Sequence, residues 1–296
     1  MIDSLSIQLV LFHEQFPILT LLIGLTFGLL IGSFINVVVH RLPSMMEREW
    51  REQAHEFLES EPEQKPSSEP YNLVFPNSHC PKCQHSIKPW ENIPLFSYLF
   101  LGGKCSSCKT HISLRYPIVE LLTGILTAVV VSHFGLTLTS LACCALTWSL
   151  VCLSLIDYDT QLLPDNITLP LLWLGLIVNS FDLVAHFEYA FWGAVGGYLS
   201  LWSVNTAFRL VRGYDGMGYG DFKLLAVLGA WMGWQALPLI IILSSLAGAV
   251  IGGSLIAFGR DKTKPIPFGP YLAIAGWISL MWGTEITMSY LQFVAL

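Results

Sequence analysis

The chain has 296 residues, of which 53% are hydrophobic and only 12% charged, and its mean hydropathy is +0.58. A soluble domain carries about 25% charged residues, so this composition excludes an ordinary water-soluble enzyme and points to a protein that is mostly membrane. The formal net charge of -6 says little, because the charges are unevenly placed.

Taken in order, the sequence begins with apolar residues in which Asp3 and Glu14 are the only charges before Arg41. A basic n-region is absent, so no cleavable signal peptide is expected. A bilayer core needs about 20 apolar residues per helix. Segments near 17–39, 116–134, 138–156, 166–181, 188–211, 222–236, 237–259 and 267–291 meet or approach that length. They predict an all-α polytopic membrane protein with about eight transmembrane helices.

Between the first and second spans lies the only sizeable hydrophilic segment. Ser44 reads as the N-cap of a charged helix over 44–60, and "EPEQKPSSEP" (61–70) as a linker. "CPKC" (80–83) and "CSSC" (105–108) follow, with 21 residues between them. Two such pairs read as a tetrahedral zinc site of Cys80, Cys83, Cys105 and Cys108. Four thiolates leave no open position, so the implied role is structural. Disulfides or redox-active thiols are the alternative. Cys143, Cys144 and Cys152 lie in an apolar span and read as packing residues.

Lys and Arg set the orientation. Residues 41–115 hold nine, 209–223 hold three and 260–264 hold three, which is the whole complement of 15. With eight spans all of these fall on one side, which places the zinc-stapled insert in the cytoplasm and both termini outside. A reducing cytoplasm disfavours the disulfide alternative.

Ionisable groups at membrane depth carry a functional hypothesis by default. Asp157, in "LSLIDYDTQLLPD", ends the third span, and Asp221, in "GMGYGDFKLLAVLGAW", begins the sixth. Both then lie at the same depth on the same side, the arrangement an aspartic protease needs. Gly218 and Gly220 would give an extended substrate backbone room to approach Asp221. Asp221 also reads as a first-turn acid or a partner of Lys223. Asp165, after Pro164, reads as an N-cap. Asp159 reads as interfacial but could exchange roles with Asp157. Glu120 could pair with a base or face the bundle. "GMGYGD" is not a dinucleotide fingerprint, there is no Walker motif, and nothing points to nucleic acid.

These residues resemble the bifunctional type IV prepilin peptidases, the leader peptidase/N-methyltransferases of bacterial inner membranes. "GSFINVVVHRLP" (32–43), both cysteine pairs, "NIPLFSYLFLGGKC" (92–105), "RYPIVELLTG" (115–124), "IDYDTQLLPD" (156–165), "GMGYGDFKLLAVLGAW" (216–231) and "PIPFGPYLAIAG" (265–276) occur in the family's order. The resemblance implies a G-x-G-D aspartyl protease with Gly218-Tyr219-Gly220-Asp221 as the motif and Asp157 as the second acid. It implies prepilins and type II secretion pseudopilins as substrates, with short basic leaders ending in Gly. It also implies methylation of the new N-terminus with S-adenosylmethionine, although no methyl-donor site is visible in the residues. The implied division is a first span (1–39), a methylation-associated zinc insert (40–115) and a seven-helix peptidase domain (116–296). A zinc-bearing scaffold without chemistry and an Asp-dependent transporter are the competing readings. The acidic stretch Glu47–Glu69 is expected to attract the basic leader; charge reversal there should alter the salt dependence of cleavage. "KPIPFGPYLA" is too rich in Pro for a helix interior and is expected to border the cleft of Asp157 and Asp221.

Overall fold

In the computed structural model, which describes residues 2–58, 71–259 and 266–294, every regular element is helical. The helices are α1 (Ile2–Gln15), α2 (Pro17–Phe57), α3 (Phe96–Phe100), α4 (Arg115–Phe134), α5 (Leu138–Thr160), α6 (Asp165–Asn179), α7 (Phe187–Arg212), α8 (Tyr219–Met232), α9 (Leu237–Ala257) and α10 (Gly269–Val294). Among the described residues there are no strands, only two isolated bridges. Among the described residues four stretches are long and apolar enough to cross a membrane: Pro17–Phe57, Arg115–Phe134, Leu138–Thr160 and Trp234–Leu255. α6 is apolar but shorter. The linker reading at 61–70 lies outside the described residues, as do the end of the acidic stretch and Lys264 and Pro265.

The chain divides into two compact units, Met1–Gly135 and Leu136–Leu296. In the first, α2 packs along α4. Gly24, Gly28 and Gly32 recur every fourth residue on the contact face. A Cβ on Gly32 would fall 2.7 Å from the Glu120 Cα, and one on Gly28 would fall 2.8 Å from the Gly124 Cα. Small residues at this spacing let helix backbones approach in a membrane, where van der Waals contact replaces the hydrophobic drive. Expectation and structure part at Ser44. It caps no helix, because α2 runs without a break from Pro17 to Phe57 with Pro43 inside it. Proline removes one helical hydrogen bond, and the helix-forming run "MMEREWREQAHEF" carries the helix onward.

In the second unit α8 is the centre. Phe222, Leu224, Leu225, Val227, Leu228 and Trp231 are fully buried, in one cluster with residues of α5, α6, α7, α9 and α10. Such an all-round apolar helix is an interior helix. α7 lies against it through Gly193 and Gly197. Any Cβ on Gly193 would collide with the Gly229 carbonyl, and one on Gly197 would fall 2.6 Å from the Leu225 oxygen. The far end of α8 is latched by buried Asn179, whose Nδ2 donates to the carbonyls of Ala230 and Trp231, both at 2.9 Å. α10 has non-helical backbone at Trp282 (φ -136°, ψ 16°), next to Gly283, a residue type that commonly accompanies such kinks.

A carboxylate pair and a cysteine cluster

The first unit builds the cysteine cluster from two copies of one turn. In the first, Gln84 N–H donates to the Cys80 carbonyl and Cys80 N–H to the His85 carbonyl, both at 2.9 Å. In the second, Lys109 N–H donates to the Cys105 carbonyl at 3.1 Å and Cys105 N–H to the Thr110 carbonyl at 2.8 Å. Gln84 and Lys109 both adopt φ 58°, the left-handed conformation each turn needs to reverse the chain. The isolated bridges His79–Ser86 and Lys104–His111 close the two knuckles.

The four sulfurs lie within 4.8 Å of one another, with Cys80–Cys108 at 3.8 Å and Cys83–Cys105 at 4.0 Å. Tetrahedral metal–sulfur bonds of about 2.3 Å require sulfurs about 3.8 Å apart, so the cluster fits a metal. It does not fit a disulfide, whose sulfurs are about 2.05 Å apart; all seven cysteines are free thiols. The backbone N–H groups of Cys83 and Lys82 point at the Cys80 sulfur and lower its pKa. Hydrogen bonding from the Thr110 side chain and backbone brings Cys108 down to about 6. Both effects favour the thiolate that a metal binds, whereas burial and the three neighbouring sulfurs push Cys83 up to about 11.

Two further polar contacts join this segment to its helices. Buried Arg41 donates from Nη1 to the Asn72 carbonyl (2.9 Å) and from Nη2 to the Pro76 carbonyl (2.7 Å). Glu120 is buried and accepts from Leu95 N–H at 2.9 Å and from the Ser33 side chain. The sequence left its partner open between a base and the bundle; the structure gives it a backbone amide and a hydroxyl.

The carboxylates belong to the second unit. Asp157 sits three residues from the end of α5 and is buried. Its Oδ2 accepts from Gly269 N–H at 2.9 Å. The C-terminal end of a helix opposes negative charge; the N-terminus of α10, which starts at Gly269, offsets it there. Asp221 is the third residue of α8, after Gly218 as N-cap, and is also buried. Leu163 stands beside both: a Cβ on Gly269, which holds Asp157, would fall 3.2 Å from its side chain, and one on Gly220, which precedes Asp221, would fall 2.8 Å from it. Asp159 is exposed. The loop before α10 borders this site, since Gly269 holds Asp157 directly and Phe268 packs against the core cluster.

Three expectations about neighbouring residues change. Lys223 does not pair with Asp221; its Nζ donates to both oxygens of Asp165, at 2.7 and 2.8 Å. Asp165 is not an N-cap, because Pro164 takes that place and Asp165 is the first residue of α6. The two glycines of the motif also differ. A Cβ on Gly218 would meet only the Asp221 Oδ2, at 3.8 Å, so there is space beside the acid. A Cβ on Gly220 would fall 2.8 Å from the Leu163 Cβ. Leu163 packs on Gly220 and leaves no room for a side chain there. Cys143, Cys144 and Cys152 are buried in α5, as read.

Sequence reasoning passed over Arg41, Asn179, Asn205 and the amide of Gly269. The first three are polar residues in or beside apolar runs, a signal that was present; the fourth has no local sequence signal.

Residues 26–134 match the bacterial peptidase A24 N-terminal domain, and residues 144–253 match the type IV leader peptidase family. A prepilin leader peptidase/N-methyltransferase of Pseudomonas aeruginosa is 61% identical over 278 residues, covering 94% of this chain and 95% of the relative. A protein of the same name from Stutzerimonas stutzeri is 58% identical over 281 residues (95% and 96%). One from Burkholderia pseudomallei, strain K96243, is 46% identical over 264 residues (88% and 85%). No solved structure matches the chain. With its two family matches in order and relatives this similar across nearly their full length, the chain belongs to the type IV leader peptidase family.

Proposed function

We propose that this protein removes the basic leader from type IV prepilins and type II secretion pseudopilins, then methylates the new N-terminus with S-adenosylmethionine. The observation that carries the peptidase reading is that buried Asp157 and Asp221, from two different helices, lie on either side of Leu163, with open space beside Gly218. Two interacting carboxylates share a proton. The ionised one takes a proton from water as the water attacks the scissile carbonyl; the protonated one gives its proton to the leaving nitrogen. The Gly269 amide orients Asp157 for this. The methyltransferase reading rests on the relatives' name.

In this reading the four cysteines hold a structural zinc ion that stiffens the insert over 40–115, and the insert serves methylation. Residues 116–296 serve as the peptidase. The eight apolar segments cross the bacterial inner membrane with both termini periplasmic, because all 15 Lys and Arg then share the cytoplasmic side. A transporter would place its carboxylates near the bilayer midplane; here they stand at helix ends.

Mass spectrometry of a prepilin peptide tests the reading, using wild type, Asp157→Asn, Asp159→Asn and Asp221→Asn with S-adenosylmethionine present. Asp157→Asn and Asp221→Asn should abolish cleavage and still methylate a pre-cleaved peptide. A dead Asp159→Asn beside an active Asp157→Asn would reassign the partner. Cleavage by all three would end the aspartic mechanism.

A further inference from the structure

α7 ends at Arg212 with Gly213 in the left-handed conformation (φ 82°), and the chain reaches α8 through "GYDGMG" (213–218). Three of these six residues are glycine, so the loop has much conformational freedom to lose. One side chain gathers it. Asn205, buried within α7, accepts at Oδ1 from Gly216 N–H (2.9 Å) and from Met217 N–H (3.2 Å). Its Nδ2 donates to Asp215 Oδ1 at 2.9 Å. The amide can face only one way, because its oxygen meets two donors and its nitrogen meets a carboxylate. Arg209 Nη1 stands 3.8 Å from the same Asp215 oxygen. Gly216 lies against the Phe208 ring, which in turn meets Tyr214 edge-on at 5.5 Å.

The loop leads directly into Gly218, the N-cap, whose carbonyl accepts from Asp221 N–H at 3.2 Å. The body of α8 is fixed against α7 by Gly193 and Gly197. The freedom that remains near Asp221 therefore lies in this loop and in the first turn it feeds. We propose that the Asn205–Asp215 pair is a positioning device for peptide cleavage. It holds the loop so that Asp221 and the open edge at Gly218 keep one register toward the substrate backbone. This rests on Asp221 being catalytic.

Asn205→Asp keeps both acceptor sites for the loop amides but sets a second carboxylate against Asp215. Asp215→Asn in the same chain restores a donor–acceptor pair with the roles exchanged. The experiment measures kcat and KM for cleavage of a prepilin peptide, with Tm in detergent, for wild type, Asn205→Asp, Asp215→Asn, the double variant and Asp221→Asn. Asn205→Asp should lower kcat about 20-fold, the scale of a charged hydrogen bond lost at an oriented site, with KM little changed. Asp215→Asn should cost about 3-fold, since Arg209 loses its charge partner while the amides can still pair. The double variant should return to the level of Asp215→Asn, which independent sites would not do. Asn205→Asp within 3-fold of wild type would overturn the proposal, and so would a double variant as slow as Asn205→Asp. If Asn205→Asp fails to fold, the double variant decides: recovery supports the pairing and no recovery overturns it. Cleavage by Asp221→Asn would instead remove the underlying peptidase reading, whatever the other variants do.

Discussion

The cysteine cluster and the carboxylate pair are held in place by different means. The cluster is made of two short turns that repeat the same hydrogen bonds, with Cys80 and Cys105 as its buried members and Cys83 and Cys108 exposed. Among the described residues none of its members belongs to the large buried apolar cluster. The pair is made of side chains 64 residues apart (157 to 221), oriented by an amide from a third helix and set into a large apolar core. A locally built site with little core depends on its metal for stability. A site assembled from packed helices depends on close backbone contact and has no need of a metal. The two should therefore fail independently.

The sharpest way to break that separation is a reciprocal pair of variants. Asp221→Asn should take prepilin cleavage below detection, a loss of roughly 10³-fold or more as expected for removal of a general acid or base, and leave methylation of a pre-cleaved peptide intact. Cys80→Ser should do the opposite, with methylation falling at least about 10-fold while cleavage persists, because the closed thiolate set is opened. Loss of both activities in either variant would show that the sites are energetically joined.

Metal removal asks the same question without mutation. Treatment with a zinc chelator should release one metal ion per chain and expose Cys80 and Cys105 to thiol reagents. It should leave the proteolysis resistance of 136–296 unchanged. Metal analysis before and after, with thiol titration, checks this. No bound metal in protein purified without chelators would contradict the reading of the cluster.

The glycines sharpen the comparison within the second unit. Gly269→Ala would put a Cβ 2.7 Å from Asp157 Oδ2, and Gly220→Ala one 2.8 Å from Leu163. Overpacking of this kind costs about 1–3 kcal/mol. Gly220→Ala should show that as a lower Tm. Gly269→Ala should lose cleavage out of proportion to its loss of stability, because the displaced group is the acid itself. Gly218→Ala should fold normally, since its Cβ meets only an oxygen at 3.8 Å. If Gly218 clears the substrate backbone, its KM rises while its Tm holds.

How much of this was legible in the sequence follows from how each site is built. The cysteine spacing revealed the cluster because the ligands of each knuckle are local. Asp157 and Asp221 were legible as charges at the ends of apolar runs. Their mutual approach was only an inference from matched depth. The tie from Gly269 to Asp157 spans 112 residues and has no sequence signature. The Gly24, Gly28 and Gly32 spacing was present in the sequence and carries a packing meaning that hydropathy alone does not report. Ser44 was misread because a Ser ahead of a charged helix-forming run has the composition of an N-cap, whereas the helix was already under way and passes Pro43 at the loss of one hydrogen bond in 41 residues. Lys223 was matched to the nearest carboxylate in sequence, two residues away. On a helix, neighbours at that spacing point to different sides, so Lys223 reaches α6 instead.

That last contact supports the smallest prediction. Lys223 Nζ binds both Asp165 oxygens, and it joins the second turn of α8 to the first turn of α6, two residues along the chain from Asp221. The side chains are 29% and 50% exposed, so water screens the pair and its worth is about 0.2–1 kcal/mol. Lys223→Met keeps the apolar stem and removes the charge. It should lower Tm by no more than a few degrees and slow cleavage only a few-fold. The loss should match that of Asp165→Asn and should not add to it in the double variant, because both changes remove one shared interaction. A loss in Lys223→Met far beyond that in Asp165→Asn would mean that Lys223 acts on the acid pair or on the substrate directly, and that the ion pair with α6 is not its main role.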